Sequence, residues 1–266
     1  VNVFNLNHFP TSPLIHLRDI GKRYCNGTIA LRGVDLDVGE HQFVSLLGPS
    51  GCGKTAVLRI IAGLGRPTAG TLKWPGASNP EIGFVFQEPT LMPWATVFDN
   101  VYLPLKLKGQ SRANCAVHID DALATVGLDR FRDSYPRELS GGMKMRVSIA
   151  RAMVTQPAVL LMDEPFAALD EITRLKLNNE FLDLWARHTF TVIFVTHSVY
   201  ESVYLSNRIV VMAARPGRVI DDIAIDAPYP RTDEFRLSEA YTSTCRTVSA
   251  SLHRAMTSGG ETENAQ

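Results

Sequence analysis

No stretch of this sequence is long and apolar enough to cross a bilayer. A spanning helix needs about 20 predominantly apolar residues, and charged residues or glycines break every hydrophobic run well before that. If the protein serves a membrane, it is expected to do so through partners. Neither sign of charge is in excess: Lys plus Arg and Asp plus Glu both total 27, for a formal net charge of zero. A nucleic-acid binder is more often basic, so no nucleic-acid partner is expected. Cysteine is scarce. Cys25, Cys52, Cys115 and Cys245 lack the paired spacing of a metal site, which favours reduced thiols in a cytosolic protein. Val1 to Pro13 lack the charged-then-apolar pattern of a secretory leader and read as an irregular arm. There is no internal repeat and no low-complexity tract.

What is present begins with Gly48-Pro-Ser-Gly-Cys-Gly-Lys-Thr55. An apolar run, Phe43 to Leu47, precedes it, and an apolar helical stripe (Val57, Leu58, Ile60, Ile61) follows it. Strand, glycine loop and helix form the context a phosphate-binding loop requires. Gly48, Pro49, Ser50, Gly51, Cys52 and Gly53 let successive backbone N–H groups converge. The helix start adds its positive end. Lys54 supplies a charge for the outer phosphates, and Thr55 a hydroxyl for Mg²⁺.

The remaining chain, 266 residues and 45% hydrophobic, suffices for one large domain or two lobes. Alternating residues at Leu14–Leu17 and Ala30–Val38 predict antiparallel strands. More continuous runs at Phe43–Leu47, Ala158–Met162, Thr191–Thr196 and Arg208–Met212 predict buried, parallel strands. Shorter strands are expected at Thr71–Trp74 and Ile82–Phe86. Pro89 to Gly109 is rich in proline and apolar residues, and helical periodicity returns from Arg112 to Val126. A helix starts at Ser140, a plausible N-cap, and another covers Glu171–Arg187. A helical lobe is therefore expected at about 89–155, inserted into the sheet domain. Beyond Ile225, residues Asp233 to Met256 read as one or two amphipathic helices with Phe235, Leu237, Tyr241, Val248 and Leu252 inward. Thr257 to Gln266 reads as disordered.

Two further motifs carry chemistry. Val159-Leu-Leu-Met-Asp-Glu-Pro165 delivers two carboxylates at a strand tip. Asp163 is placed to hold Mg²⁺ and Glu164 to polarise an attacking water. Taken alone, Asp-Glu-Pro also fits an ordinary solvated turn. In Leu139-Ser-Gly-Gly-Met143, Ser140, Gly141 and Gly142 open a helix whose first N–H groups form a second anion site. One phosphate chain seldom needs two such sites within one small domain. A second site makes sense if it meets the phosphate of another copy.

Leu-Ser-Gly-Gly between a phosphate loop and a strand ending in Asp-Glu-Pro resembles the signature of the ATP-binding cassette (ABC) family. Order and spacing fit from about Leu14 to Ile225. The resemblance implies an α/β fold: a P-loop NTPase core of mostly parallel sheet, with an N-terminal antiparallel β subdomain and an inserted helical subdomain. It implies an ATPase domain over about residues 14–230, preceded by the arm (1–13) and followed by a helical tail (231–266). It implies ATP and Mg²⁺ as ligands. Tyr24 matches the aromatic that stacks on adenine, although a sheet-edge aromatic would look the same. Gln87 matches the glutamine that touches Mg²⁺ and the attacking water. Ala168-Leu-Asp170 matches a loop crossing the dimer interface, and His197 the switch histidine that contacts the terminal phosphate. Met143 and Ser198 depart from the residues common in the family, glutamine and aspartate, but neither bears an assigned chemical group.

In that family two cassettes face head to tail, with ATP between one copy's phosphate loop and the other's Ser140–Gly142 segment. Glu88 to Thr96 resembles the surface that receives a permease helix in importers, so Leu91, Met92, Pro93 and Trp94 are candidate partner contacts. Leu91 and Trp94 could equally pack within the helical lobe. Phe86–Trp94, Asp163–Asp170 and Val211–Gly217 look like the ATPases of nitrate, sulfonate and taurine importers. Relatives that import pyrimidine precursors share these stretches. A separate permease, indirectly a periplasmic solute-binding protein, and a peripheral place at the cytoplasmic face of a bacterial inner membrane are the implied setting. An exporter motor, a soluble cassette acting on DNA or ribosomes, and a switch that binds ATP without turnover are the alternatives. The absence of an in-chain membrane domain, of a long coiled coil or tandem cassette, and the presence of Glu164 weigh against them in turn.

Overall fold

The computed structural model describes residues 13–76, 80–188 and 190–257. The expected N-terminal arm before Pro13 and the expected disordered end, apart from Thr257, lie outside the described residues. In chain order, strands β1 (Pro13–Arg23), β2 (Ile29–Gly39) and β3 (Phe43–Leu47) lead to helix α1 (Lys54–Ile61) and strand β4 (Ala69–Lys73). Strand β5 (Ile82–Val85) and helices α2 (Val97–Leu107), α3 (Arg112–Thr125) and α4 (Gly141–Met153) follow. Next come β6 (Val159–Asp163), α5 (Glu171–His188), β7 (Thr191–Thr196) and α6 (Val199–Leu205). The chain closes with β8 (Arg208–Ala213), β9 (Arg218–Ala224), α7 (Asp233–Leu237) and α8 (Glu239–Thr257). The described residues form two compact units: 13–76 with 191–257, and 80–188 with 190.

The first unit contains an antiparallel sheet in the order β2-β1-β4. On β1, Ile15 and Leu17 point inward at a spacing of two, but Ile20 comes three residues later. A register shift between Leu17 and Ile20 restores it to the core. Asp19 absorbs that shift in the left-handed region at φ 49, and its N–H donates to Asp35 Oδ1 at 2.8 Å. In the unit's other strand group β3 lies between β7 and β8 and is parallel to both. Strand β9 pairs with β8 antiparallel. Every residue of β3 and β7 is buried, which is why both read as unbroken apolar runs. Ser45, the one hydroxyl in β3, meets the Ser206 hydroxyl. The expectation of mixed α/β architecture with mostly parallel strands and an antiparallel N-terminal sheet holds. Helix α6 and strand β9 have no counterpart among the expected elements; both are short, and most of β9 is half-buried with no clean alternation.

The tail forms two helices, as one of the two expectations had it. Tyr241, Cys245, Val248, Ser251 and Ala255 recur every three or four residues and face inward on α8. Tyr241 and Val248 are buried as expected, but Leu237 is 87% exposed. It closes the five-residue α7, just before the chain turns at Ser238, so the periodicity of α8 does not extend back to it.

In the second unit β5 and β6 pair in parallel. Helices α2, α3 and α4 share a core that includes Phe98, Val101, Ile119, Leu123 and Val147. Burying each such side chain contributes about 1.5–3 kcal/mol. The sequence reading expected helical periodicity only from Arg112, because of the prolines before it. The chain is helical already from Val97, with Pro104 inside α2. Thr96 starts it, its hydroxyl accepting the Asp99 N–H at 3.2 Å. The N–H groups of Val97 and Phe98 donate to the carbonyls of Ser134 and Arg132. With its free N-terminal donors satisfied, the helix tolerates a proline near its other end.

Candidate nucleotide site

In the first unit, β3 ends at Leu47 and α1 begins at Lys54. The glycine loop between them turns through Gly51 at φ 78 and Gly53 at φ 91, conformations that glycine adopts without strain. Gly53 is the N-cap of α1 and brings no side chain across the helix end. Lys54 is 4% exposed, and its Nζ donates to the carbonyls of Gly48 at 2.7 Å and Pro49 at 3.1 Å. The Cys52 thiol is buried, and burial pushes its pKa up, so it stays a neutral thiol.

Gly217, to which the sequence alone assigns no such role, supports this loop. Its N–H donates to Ala30 O at 3.0 Å, and its carbonyl accepts the Arg32 N–H at 2.9 Å. A Cβ on Gly217 would lie 2.2 Å from Cys52 O and 2.6 Å from Ala30 O. Gly48 is just as confined, since a Cβ there would lie 2.5 Å from Met212 O. In the sequence Gly217 only closes the Val211–Gly217 stretch that resembles importer ATPases, and nothing local shows what it packs against.

Leu47 and Thr196 are register partners at the tips of the parallel strands β3 and β7. The glycine loop and His197 therefore leave the same edge of the first unit. His197 is exposed, and a network of hydrogen bonds holds the residues on either side of it. The Thr196 hydroxyl donates to Glu201 Oε2 at 2.6 Å and accepts the Ser198 N–H at 3.0 Å. Ser198 Oγ accepts the Glu201 N–H at 3.3 Å, capping α6. Tyr24 sits in the turn after β1 and is 44% exposed, with Lys22 Nζ 5.5 Å from its ring centroid. The ring keeps an accessible face.

The second unit holds the other assigned groups. Val85 and Met162 are register partners, so Gln87 and Asp163 leave the same edge of that strand pair. Gln87 is exposed, and Asp163 and Glu164 are half-buried. Glu164 lies in the left-handed region at φ 46, and its carbonyl accepts the Ala167 N–H at 3.2 Å. A non-glycine residue held there is strained by about 1–3 kcal/mol, and this one carries the carboxylate assigned to water activation.

Ser140 is the N-cap of α4, its Oγ accepting the Met143 N–H at 3.3 Å. Gly141 is exposed, whereas Gly142 is buried. A Cβ on Gly142 would come 2.8 Å from Thr173 Cγ2, so this glycine also lets α4 and α5 approach closely. Asp170 caps α5, with Oδ1 accepting the Thr173 N–H at 2.9 Å. That bond holds its carboxyl below the usual range.

The segment after Gln87 is fixed from two sides. Arg151 on α4 donates to Pro89 O at 2.8 Å, Thr90 O at 2.9 Å and Thr90 Oγ1 at 3.1 Å. Thr90 itself sits at φ 46, an unusual place for a β-branched residue. The fully buried Asn100 accepts the Met92 N–H at 2.7 Å and donates to the carbonyls of Met92, Ala95 and Thr96. Leu91 packs against the helical core, while Trp94 is 77% exposed. Leu91 thus takes the packing alternative left open by the sequence, and Trp94 does not.

Residues 31–167 match the ABC transporter family. A putative ATP-binding protein of Brucella abortus is 46% identical over 233 residues, covering 86% of this chain and 89% of that protein. An aliphatic sulfonates import ATP-binding protein of Bacillus licheniformis is 44% identical over 209 residues, covering 77% of this chain and 81% of its own length. Among solved structures, a dimeric bacterial ABC transporter cassette superposes with a TM-score of 0.69 at 32% identity, covering 80% of this chain and 99% of that one.

Proposed function

The chain belongs to the ABC transporter family, as an ATP-hydrolysing cassette, and from that premise we propose that it drives an importer for nitrate, sulfonate, taurine or a related small solute. The observation that carries this reading is the outward Trp94, on a segment braced by Arg151 and Asn100 and beginning one residue after Gln87. Relatives named as aliphatic sulfonates import proteins support the solute class.

On this reading the loop Gly48 to Thr55 wraps the phosphates of ATP, and Lys54 leaves its carbonyl partners for the outer phosphates. Tyr24 stacks on the adenine. Among the described residues no group of three or more His, Cys, Asp or Glu could hold a metal ion. Mg²⁺ is commonly held by one or two carboxylates together with substrate phosphates. Thr55, Gln87 and Asp163, all hard oxygen donors, would hold it, and the ion would supply charge neutralisation at the transferred phosphate. Glu164 polarises the attacking water, and His197 contacts the terminal phosphate.

Ser140, Gly141 and Gly142 bind the phosphate of a second copy in a head-to-tail dimer. The dimeric structures of a related cassette support that assembly. Bound ATP favours the closed pair because it contacts both copies, and hydrolysis removes the bridging group. The motion passes from Gln87 to Leu91, Met92, Pro93 and Trp94 and into a permease. No helix among the described residues is long and apolar enough to cross a membrane; the proposed place is peripheral, on that permease at the cytoplasmic face.

The test is Trp94→Asp. ATPase activity of the isolated subunit should stay within about twofold of the parent, as for most surface changes, while co-purification with the permease should fall. Undiminished co-purification contradicts the docking assignment.

A further inference from the structure

The tail beyond Ile225 takes no part in the function proposed above, yet it carries a deeply buried charge. Arg231 is 5% exposed, and among the described residues no carboxylate pairs with it. Its Nη1 donates to three carbonyls, Val203 at 2.8 Å, Tyr204 at 2.9 Å and Ser206 at 2.8 Å. Its Nη2 donates to Ala227 O at 3.2 Å. The guanidinium lies 4.2 Å from the Tyr229 ring centroid and 5.3 Å from that of Phe235. Burial pulls its pKa below the ordinary value, but a guanidinium remains protonated in a protein.

The three carbonyls that Nη1 meets belong to the last turn of α6 and to Ser206, its C-cap. This is the negative end of a helix, where a cation is favoured. The tail grips α6 elsewhere too. The Tyr229 hydroxyl donates to Leu205 O at 2.8 Å, and the Tyr241 hydroxyl to Tyr200 O at 3.1 Å. In return the Tyr204 hydroxyl donates to Arg231 O at 2.7 Å. Helix α8 packs along α6 as well.

Helix α6 is only seven residues long. Its other end is the bonded knot of Thr196, Ser198 and Glu201 that encloses His197. A short helix bonded at both ends moves as one piece. Displacing its C-terminal end displaces Ser198, and with it the backbone of His197.

We propose that Arg231 is a positioning residue for ATP hydrolysis: by anchoring α6 to the tail, it fixes where β7 presents the His197 imidazole to the terminal phosphate. The proposal rests on the switch role assigned to His197 above.

The test is a double-mutant cycle on the full chain, reading kcat and KM for ATP, with folding checked by thermal unfolding. Arg231→Met should lower kcat on the order of tenfold, as a misplaced group does, with KM changed by less than about threefold. Arg231→Lys should recover only part of kcat, because one ammonium cannot reproduce the planar fork that meets carbonyls on two sides. Combined with His197→Ala, the Arg231→Met change should cost nothing further, since both act through one group. Losses that multiply in the double variant, or a parent-like kcat in folded Arg231→Met, overturn the proposal. Should Arg231→Met fail to fold, Tyr229→Phe removes the hydroxyl that donates to Leu205 O on the same helix and keeps the ring. It is expected to lower kcat roughly two- to fivefold, and an unchanged kcat in the folded protein overturns the proposal equally. A parent-like kcat in His197→Ala alone would remove the switch assignment and this proposal with it, whereas a slow His197→Ala beside a fast Arg231→Met removes this proposal only.

Discussion

Gly217→Ala isolates a dependence of nucleotide binding on a residue that contacts no nucleotide. A methyl group there would stand 2.2 Å from the Cys52 carbonyl oxygen and 2.6 Å from that of Ala30. Both obstacles are backbone, and no side-chain rotation relieves them. Relief requires the phosphate loop to move by about 1 Å, the difference between those distances and an ordinary carbon–oxygen contact near 3.3 Å. Forced overpacking of this kind costs about 1–3 kcal/mol, and a displacement of about 1 Å in a positioned group can cost on the order of a hundredfold. We therefore expect ATP affinity to fall between about ten- and a hundredfold. The assay is calorimetric titration with ATP in a Glu164→Gln background, so that hydrolysis does not deplete the ligand. Gly109→Ala is the control. Gly109 has a left-handed φ of 76 but open space where the Cβ would go, so that variant should lose about 1 kcal/mol of stability and keep its ATP affinity. If Gly217→Ala binds ATP as tightly as the control, the loop is not held in place through residue 217.

The other expectations concern the braced segment and the tail. Arg151→Met removes the donors to Pro89 and Thr90; hydrogen bonds to a charged group contribute about 1.5–3 kcal/mol, so amide exchange over residues 88–94 should quicken at least tenfold, and unchanged exchange would show that Arg151 does not hold the segment. Burial raises the Tyr229 phenol from 10.0 to about 12. A raised folded value means that this contribution to stability is intact below about pH 10 and is lost as pH rises through about 12, to an extent of about 3 kcal/mol. Alkaline unfolding should therefore be less steep in Tyr229→Phe than in the parent across that window, and identical pH profiles would contradict it.

Much of the site was legible because phosphate binding imposes local spacing. The glycines of residues 48–53, the carboxylates at the end of β6 and the Ser140–Gly142 helix start are each local in sequence, and the structure builds each on the expected strand tip or helix end. Continuous apolar runs marked β3 and β7 for the same reason they are buried. What was illegible depends on distant pairs. Gly217 shows no structural role until Cys52 O and Ala30 O are placed against it. Arg231 draws no attention in the sequence because nothing local shows that the carbonyls of Val203, Tyr204 and Ser206 will surround it. Helix α2 is hidden by Pro104 within it and by Pro89 and Pro93 before it, which argue against a helix until the capping by Thr96 and the partners of Val97 and Phe98 are known. Leu237 was read as buried because a helical period was carried across Ser238, where the chain leaves helix.

The central claim is that the chain is half of an ATP site that a second copy completes. The most direct measurement is the solution mass of Glu164→Gln by light scattering, with and without ATP and Mg²⁺. A monomer without nucleotide should become a dimer of about twice 29.3 kDa with ATP, and the dimer should be lost again when Ser140→Arg blocks the second anion site. A monomer under saturating ATP, or a dimer indifferent to both ATP and Ser140→Arg, would contradict it.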